Sequence, residues 1–201
     1  MPKPEQFVGR WVTWTEDNRF EQELYEDGTF EGLIFDEEDT ICHAVIGTWE
    51  IDGDTMCWRY KKGGPKGVDK DKIVHVGAGR FSLKSRKGDH TDWHRGIKGS
   101  GETSTNFDLE EVRPFLKRLS ALVPSGFGAS RVTALAKEIK KLKRERTRQF
   151  VFPITFEGAA ALLGVRVFMD DVGSPDIYFY APLKLVRQID REIERLDESR
   201  A

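Results

Sequence analysis

The chain has 201 residues, enough for one large or two small domains with a substantial hydrophobic core. Its formal net charge is only −2, so no overall electrostatic field favours a nucleic acid or a membrane surface as a partner. Charge is unevenly distributed, because residues 1–54 carry 15 acidic and 3 basic side chains, whereas residues 55–100 carry 4 acidic and 12 basic ones. This asymmetry predicts a dipolar surface that can steer a charged partner.

Residues 1–6 and the two cysteines indicate the cellular compartment of the protein. Residues 1–6 lack the apolar core of a signal peptide, and no apolar run approaches the length that spans a membrane. Cys42 and Cys57 flank a turn around Gly53, and a hairpin closed there separates them by about 27 Å, beyond the ~7 Å Cα limit for a disulfide. Two unpaired thiols without an export signal predict a cytoplasmic protein.

Short runs in which apolar and polar residues alternate fill the first 97 residues, and most are separated by turns rich in Gly, Asp and Asn. The eight predicted strands are Arg10–Glu16, Arg19–Glu26, Gly28–Asp36, Thr40–Asp52, Thr55–Lys62, Asp71–Val76, Arg80–Lys87 and Thr91–Ile97. Because no helix intervenes, they predict an antiparallel meander, and closing it into a barrel removes its exposed edges. The interior of an eight-stranded barrel is filled by side chains or holds one small ligand.

Four segments of this predicted barrel form a distinctive set. They are Phe7–Trp11, Leu24–Phe30, Gly47–Gly53 and the closing hairpin Phe81–Arg95. Together they resemble the lipocalin-like (calycin) barrels, in which a Gly-x-Trp on the first strand packs beneath an arginine from the last strand. The resemblance covers about half of the chain and implies that Trp11 stacks with Arg95, a cation–π contact of about 0.5–2 kcal/mol.

A change of pattern near residue 98 predicts a second domain. All five tryptophans lie in the first 93 residues. Residues 99–107 are small, polar and Gly-rich, which predicts a linker between a barrel at 1–98 and an α+β domain at 108–201.

Beyond the linker, the period of the apolar residues changes from 2 toward 3.6. Asp108 and Glu111 form a capping-box pattern ahead of an apolar stripe, which predicts a helix, and Ser130 begins a second one. A final helix starts at Pro182. The three strands predicted between them are Phe150–Glu157, Ala161–Asp170 and Asp176–Tyr180. The expected order is α-α-β-β-β-α with an antiparallel sheet, so the whole chain is predicted to be α+β.

Several groups of residues resemble catalytic, metal-binding or nucleic-acid-binding motifs, but their spacing indicates structural roles. His90 and His94 are four residues apart, but on a strand they lie about 13 Å apart, so we expect no metal site. The basic run at residues 137–148 suits a helix C-terminus, and we expect no nucleic-acid binding. Cys42 and His43 point to opposite faces of a strand and cannot form a nucleophilic pair. We therefore predict a non-enzymatic protein without a cofactor.

The first functional hypothesis is a small, partly apolar ligand inside the barrel. The residues predicted to line its site are Trp11, His43, Trp49, Trp93 and Arg95. His43 follows the alternation of its apolar neighbours, so it is expected to point into the barrel. There it would either contact a ligand such as haem or act as a hydrogen-bonded core histidine.

The second hypothesis is a protein-interaction module or inhibitor, of the immunity or regulatory type, that binds a basic partner protein through acidic hairpins at residues 19–39. The residues predicted to contact the partner are Glu21, Glu23, Glu31, Asp36, Glu37 and Glu38. Like charges on neighbouring strands destabilise a sheet by a few tenths of a kcal/mol per close pair, so their concentration can mark a surface that meets positive charge. Solubility is the alternative explanation.

Overall fold

The computed structural model describes residues 1–15, 18–36, 38–123 and 125–200. They divide into two compact units, the first covering Met1–Gly96 and the second beginning at Ile97. Each unit has a hydrophobic core of its own. The predicted fold class is confirmed, because a closed antiparallel barrel is followed by helices and a second antiparallel sheet.

Eight strands form the first unit. They are β1 (Gly9–Trp14), β2 (Arg19–Leu24), β3 (Thr29–Phe35), β4 (Ile41–Asp52), β5 (Thr55–Lys62), β6 (Val68–Val76), β7 (Arg80–Lys84) and β8 (His90–Arg95). Each strand pairs antiparallel with the next, and β1 pairs with β8 to close the barrel. Tight turns connect several of the pairs, and Gly28 and Gly53 adopt φ values of 79° and 64° there, a region that favours glycine.

Aromatic side chains fill the centre of the barrel. Cross-strand partners share one face of a sheet, and the register Trp49↔Trp58 and Phe81↔Trp93 turns these rings inward. Phe30 packs edge-on against Trp58, with 5.3 Å between ring centroids. Burial of these large rings is the main source of stability for a barrel of this size.

The second unit comprises three helices and a four-stranded sheet. Its elements are β9 (Ser100–Asn106), α1 (Leu109–Leu122), α2 (Ala129–Lys140), β10 (Arg146–Phe156), β11 (Ala159–Met169), β12 (Pro175–Pro182) and α3 (Leu183–Arg200). The strand order is β10-β11-β12-β9. The predicted capping interaction at the start of α1 is present, since the Asp108 N–H donates to the Glu111 carboxylate at 2.9 Å.

The linker prediction is wrong for most of residues 99–107, because β9 occupies this segment. It pairs antiparallel with β12, placing Glu102 opposite Tyr180 and Thr105 opposite Ile177. Backbone hydrogen bonds hold an edge strand whatever its side chains are, so a polar, Gly-containing sequence can pair on one side. The order of the second unit is therefore β-α-α-β-β-β-α.

Candidate functional site

Trp11 lies in the barrel core, with 1% of its surface exposed. Its indole N–H donates to the Phe7 carbonyl at 2.5 Å, and its ring packs edge-on against Phe81 at 4.6 Å between centroids. The Arg95 guanidinium lies 4.1 Å above the same ring, so the contact implied by the resemblance is confirmed.

Arg95 joins the last strand of the barrel to the first. It is the cross-strand partner of Trp11, and its Nη1 donates to the Val8 carbonyl at 2.6 Å. Gly9 has a φ of 116°, and a Cβ atom there would lie 2.5 Å from Arg95 Nη1. Burial lowers the pKa of the Arg95 guanidinium. The glycine of the Gly-x-Trp motif thus makes room for the arginine that closes the barrel.

Trp49 is also a core residue, with 5% of its surface exposed. Its indole N–H donates to the carbonyls of Tyr25 and Thr29 at 3.2 and 3.0 Å. Its ring lies 6.4 Å from that of Phe7. A ligand would have to displace Phe7 to reach this indole from that side.

The remaining predicted ligand residues are more accessible. Trp93 is half-buried and stacks on Phe81, with ring centroids 6.0 Å apart and planes 15° apart. His43 is exposed near the start of β4, and its Nε2 lies 2.7 Å from the Gly63 carbonyl. The predicted core histidine is therefore hydrogen-bonded but not buried, because it lies at an end of the barrel.

Phe7 and Phe81 connect three of the five predicted ligand residues. Phe7 contacts Trp49 and Phe81, while Phe81 contacts Trp11 and Trp93. Sequence reasoning did not single out either phenylalanine. Phe81 alternates with Leu83 in a strand-like run, a signal that could have placed it in the core.

Among the acidic residues, Glu21 has a structural role. It is 4% exposed and lies between Arg10 and Arg19, each of which donates from Nε to a carboxylate oxygen of Glu21 at 3.1 Å. Arg19 is itself 1% exposed and also contacts Asp39 at 2.5 Å. Glu21 is therefore not accessible to a partner.

The turn between β3 and β4 holds the other predicted acidic contacts. Asp36 accepts hydrogen bonds from the backbone N–H groups of Glu38 and Thr40 at 3.0 and 2.9 Å, so its carboxylate closes the turn. Glu38 is exposed. Glu37 lies outside the described residues.

Glu23 and Glu31 form an accessible pair of carboxylates. They are direct cross-strand partners on β2 and β3, on the outer face of the barrel. Glu23 lies 3.8 Å from Arg10 Nη1, and Glu31 accepts a hydrogen bond from the Tyr25 hydroxyl at 2.5 Å. Like charges placed directly opposite each other weaken a sheet, so this pair favours a bound cation.

A groove of about 250 Å³ crosses the outer face of β1–β4 beside this pair. We call it the acidic groove. Its lining includes Arg10 and three carboxylates, of which Glu21 is engaged by Arg10 and Arg19 and the accessible ones are Glu23 and Glu31. The apolar residues that line it are Leu33, Ala44, Val45 and Ile46. Ile46 is 44% exposed. The groove therefore combines apolar surface with negative charge, as a site for an alkyl chain ending in a cation requires.

Tyr25 provides a test of the charge beside this groove. The hydrogen bond to Glu31, followed by burial and the charge of Glu31, raises the pKa of Tyr25 from 10.0 to about 12. The neutral phenol thus stabilises the folded barrel below about pH 10, and this contribution is lost as the pH rises toward 12. We expect Glu31→Ala to return the pKa toward 10, as measured by NMR titration of the tyrosine Cζ resonance.

Tyr60 is the internal control for that titration. Burial, then the charges of Asp69 and Asp71, raises its pKa to about 12 as well. Glu31→Ala should leave the pKa of Tyr60 unchanged. Equal shifts of both tyrosines would contradict the assignment of the Tyr25 shift to Glu31.

The described residues contain neither a metal-binding cluster nor a membrane-spanning helix. Within residues 1–15, 18–36, 38–123 and 125–200, no group of three His, Cys, Asp or Glu side chains is arranged to hold a metal ion. Cys42 is an exposed free thiol and Cys57 a buried one. None of the helices described is long and apolar enough to cross a membrane.

No protein-family model matches the chain, and no curated protein matches it. Among solved structures, it is similar to a lipocalin-like protein from Bacteroides uniformis, with 11% sequence identity and a TM-score of 0.36. That similarity covers 45% of this chain and 98% of the other. The strand topology is independent of this comparison. Eight sequential antiparallel strands, closed between β1 and β8 where Arg95 covers Trp11, make the first unit an up-and-down barrel, the fold that lipocalins also have.

Proposed function

We propose that this chain is a non-enzymatic, cytoplasmic binding protein whose acidic groove receives a basic side chain of a partner protein. Lipocalin-like barrels typically bind rather than catalyse, which supports a binding role. The free thiols of Cys42 and Cys57 support a reducing compartment. The observation that carries the proposal is the opposed pair Glu23 and Glu31 beside an apolar surface.

The electrostatics of the groove support a cationic occupant. Glu21 is bridged to both Arg10 and Arg19, whereas the cation beside Glu23 among the described residues is Arg10, whose Nη1 lies at the longer distance of 3.8 Å. A lysine or arginine from a partner would reduce the repulsion between Glu23 and Glu31. Each such exposed pair contributes about 0.2–1 kcal/mol.

The size of the groove supports a side chain rather than a whole small molecule. Its volume of about 250 Å³ is below the ~300–1,000 Å³ of typical small-molecule pockets. The methylene stem of a lysine or arginine can lie on Leu33 and Ile46 while its charged end reaches the carboxylates. A ligand inside the barrel has less support, because Trp11 and Trp49 are buried among other side chains.

Binding of an octa-arginine peptide tests the proposal. We expect the double variant Glu23→Gln/Glu31→Gln to weaken binding about tenfold at physiological ionic strength and to reduce its salt dependence, because two charge contacts are lost. Fluorescence anisotropy of a labelled peptide at several salt concentrations measures both effects.

The matched control removes two acidic charges elsewhere on the barrel. Glu5 and Glu26 are exposed, do not line the groove and are not among the predicted partner contacts, so Glu5→Gln/Glu26→Gln changes the net charge equally. We expect it to weaken binding less than about twofold. Ile46→Ser should weaken binding without changing the salt dependence. Equal losses in the two double variants would show that only the overall charge matters and would contradict the groove as the site.

A further inference from the structure

A second groove of opposite charge lies on the same barrel. It has a volume of about 420 Å³ and is lined by Thr55, Lys70, Lys72, Lys84, Ser85 and Arg86. We call it the basic groove. Its four cations come from β6, β7 and the turn that follows β7. Four positive charges of the barrel therefore meet in one groove on the β5–β7 side, opposite in sign to the acidic groove of β1–β4.

The strand register concentrates this charge. Lys72 on β6 is the direct cross-strand partner of Lys84 on β7, so two ammonium groups project from neighbouring positions on the outer face. Like charges directly opposite each other destabilise a sheet. An anion bound between Lys72 and Lys84 removes that repulsion.

Carboxylates of the chain compensate only part of this charge. Lys72 lies 3.4 Å from Asp54, with 64% of its side chain exposed. Within the described residues, Lys70, Lys84 and Arg86 have no carboxylate within the 4.0 Å of a salt bridge. Three cations of the groove are therefore available to an anion from solution.

The turn after β7 holds Arg86 at the edge of the groove. The Ser85 hydroxyl accepts hydrogen bonds from the N–H groups of Lys87 and Asp89 at 3.2 and 3.1 Å and donates to the Asp89 carboxylate at 3.1 Å. The Ser85 N–H also donates to the Asp89 carbonyl at 2.9 Å. The Gly88 N–H donates to the Ser85 carbonyl at 3.0 Å. The Asp89 carboxylate is thus held by Ser85, and the turn that carries Arg86 is closed by five hydrogen bonds.

We propose that the basic groove binds a small molecule that carries a phosphate or diphosphate group. Phosphate groups combine a double negative charge with several acceptor oxygens, which match ammonium and guanidinium donors. The groove, of about 420 Å³, has room for a phosphate or diphosphate group beside these side chains. A long polyanion is disfavoured, because residues 1–54 of the same barrel carry a large excess of negative charge. This site does not depend on the proposed function of the acidic groove.

Isothermal titration calorimetry with inorganic phosphate and with pyrophosphate, at constant ionic strength, tests this proposal. We expect saturable binding of at least one of them; tighter binding of pyrophosphate identifies a diphosphate ligand and equal binding a monophosphate. The variant Lys72→Gln/Lys84→Gln should weaken that binding at least tenfold, because both facing charges are lost. The urea midpoint of this variant should be equal to or higher than that of the parent chain. Misfolding is then excluded as the cause of the weaker binding.

The control variant is Lys137→Gln/Lys140→Gln, which removes two exposed lysines of α2 and changes the net charge equally. It should retain phosphate or pyrophosphate binding within twofold. Equal weakening in the two double variants would overturn the proposal, as would the absence of saturable binding of either anion. Binding of a 20-nucleotide oligothymidylate with no binding of pyrophosphate would also overturn it, in favour of a nucleic-acid surface.

Discussion

Replacing Glu21 with glutamine is expected to destabilise the barrel by about 3–5 kcal/mol, because removing one partner of a buried ion pair leaves the other charge uncompensated. Arg19 is 1% exposed and would lose the carboxylate that its Nε contacts at 3.1 Å, while its contact with Asp39 at 2.5 Å would remain. Arg10 would lose its contacts to Glu21 as well. A loss of this size is a large fraction of the ~5–15 kcal/mol that stabilises a typical domain.

Urea denaturation followed by tryptophan fluorescence measures this effect. All five tryptophans lie in the barrel, so the signal reports the unfolding of that unit. Glu26→Gln removes an exposed charge and should change the stability by less than about 0.5 kcal/mol. A similar small change in Glu21→Gln would show that the two arginines do not depend on this carboxylate.

The structural role of Glu21 also determines which residues are suitable for testing partner binding. Glu21 belongs to the predicted acidic surface, yet its substitution would reduce binding by unfolding the barrel. Glu23 and Glu31 can be changed without removing a carboxylate from the buried Arg19, because Glu23 lies beside Arg10 and Glu31 accepts from the exposed Tyr25 hydroxyl. Variants at these two positions therefore separate recognition from stability.

Replacing Trp11 with alanine is expected to cost about 3–5 kcal/mol of barrel stability, as for other large-to-small substitutions of buried aromatic residues. The change opens a cavity beside Phe81 and removes the surface on which the Arg95 guanidinium lies at 4.1 Å. It also removes the N–H group that donates to the Phe7 carbonyl. Chemical denaturation monitored by the four remaining tryptophans provides the measurement.

Arg95→Ala separates the contribution of the guanidinium from that of the indole. It removes the cation–π contact, about 0.5–2 kcal/mol, and a charged hydrogen bond to the Val8 carbonyl, about 1.5–3 kcal/mol. We expect a smaller loss of stability than in Trp11→Ala. The opposite order would show that the arginine, rather than core packing, is the main link between the first and last strands.

The strands of the barrel could be located from local sequence because side-chain alternation and turn residues mark them. β5 was predicted at Thr55–Lys62, as observed, since glycines flank both of its ends. β9 was missed because an edge strand needs only backbone pairing, which leaves no pattern in Ser100–Asn106. The contact between Trp11 and Arg95 was expected from a family resemblance and not from the periodicity of the sequence.

The sequence by itself determined the α+β class, the eight alternating strands and the division of charge between residues 1–54 and 55–100, because these depend on local periodicity and composition. Only the tertiary structure decided which charges remain accessible. Glu21 and Glu23 are two residues apart and share a face of β2, yet Glu21 is enclosed by two arginines while the Glu23 side chain stays partly exposed, 3.8 Å from Arg10. That difference arises from the neighbours which strand register and barrel closure bring to each side chain, and these neighbours are distant in sequence.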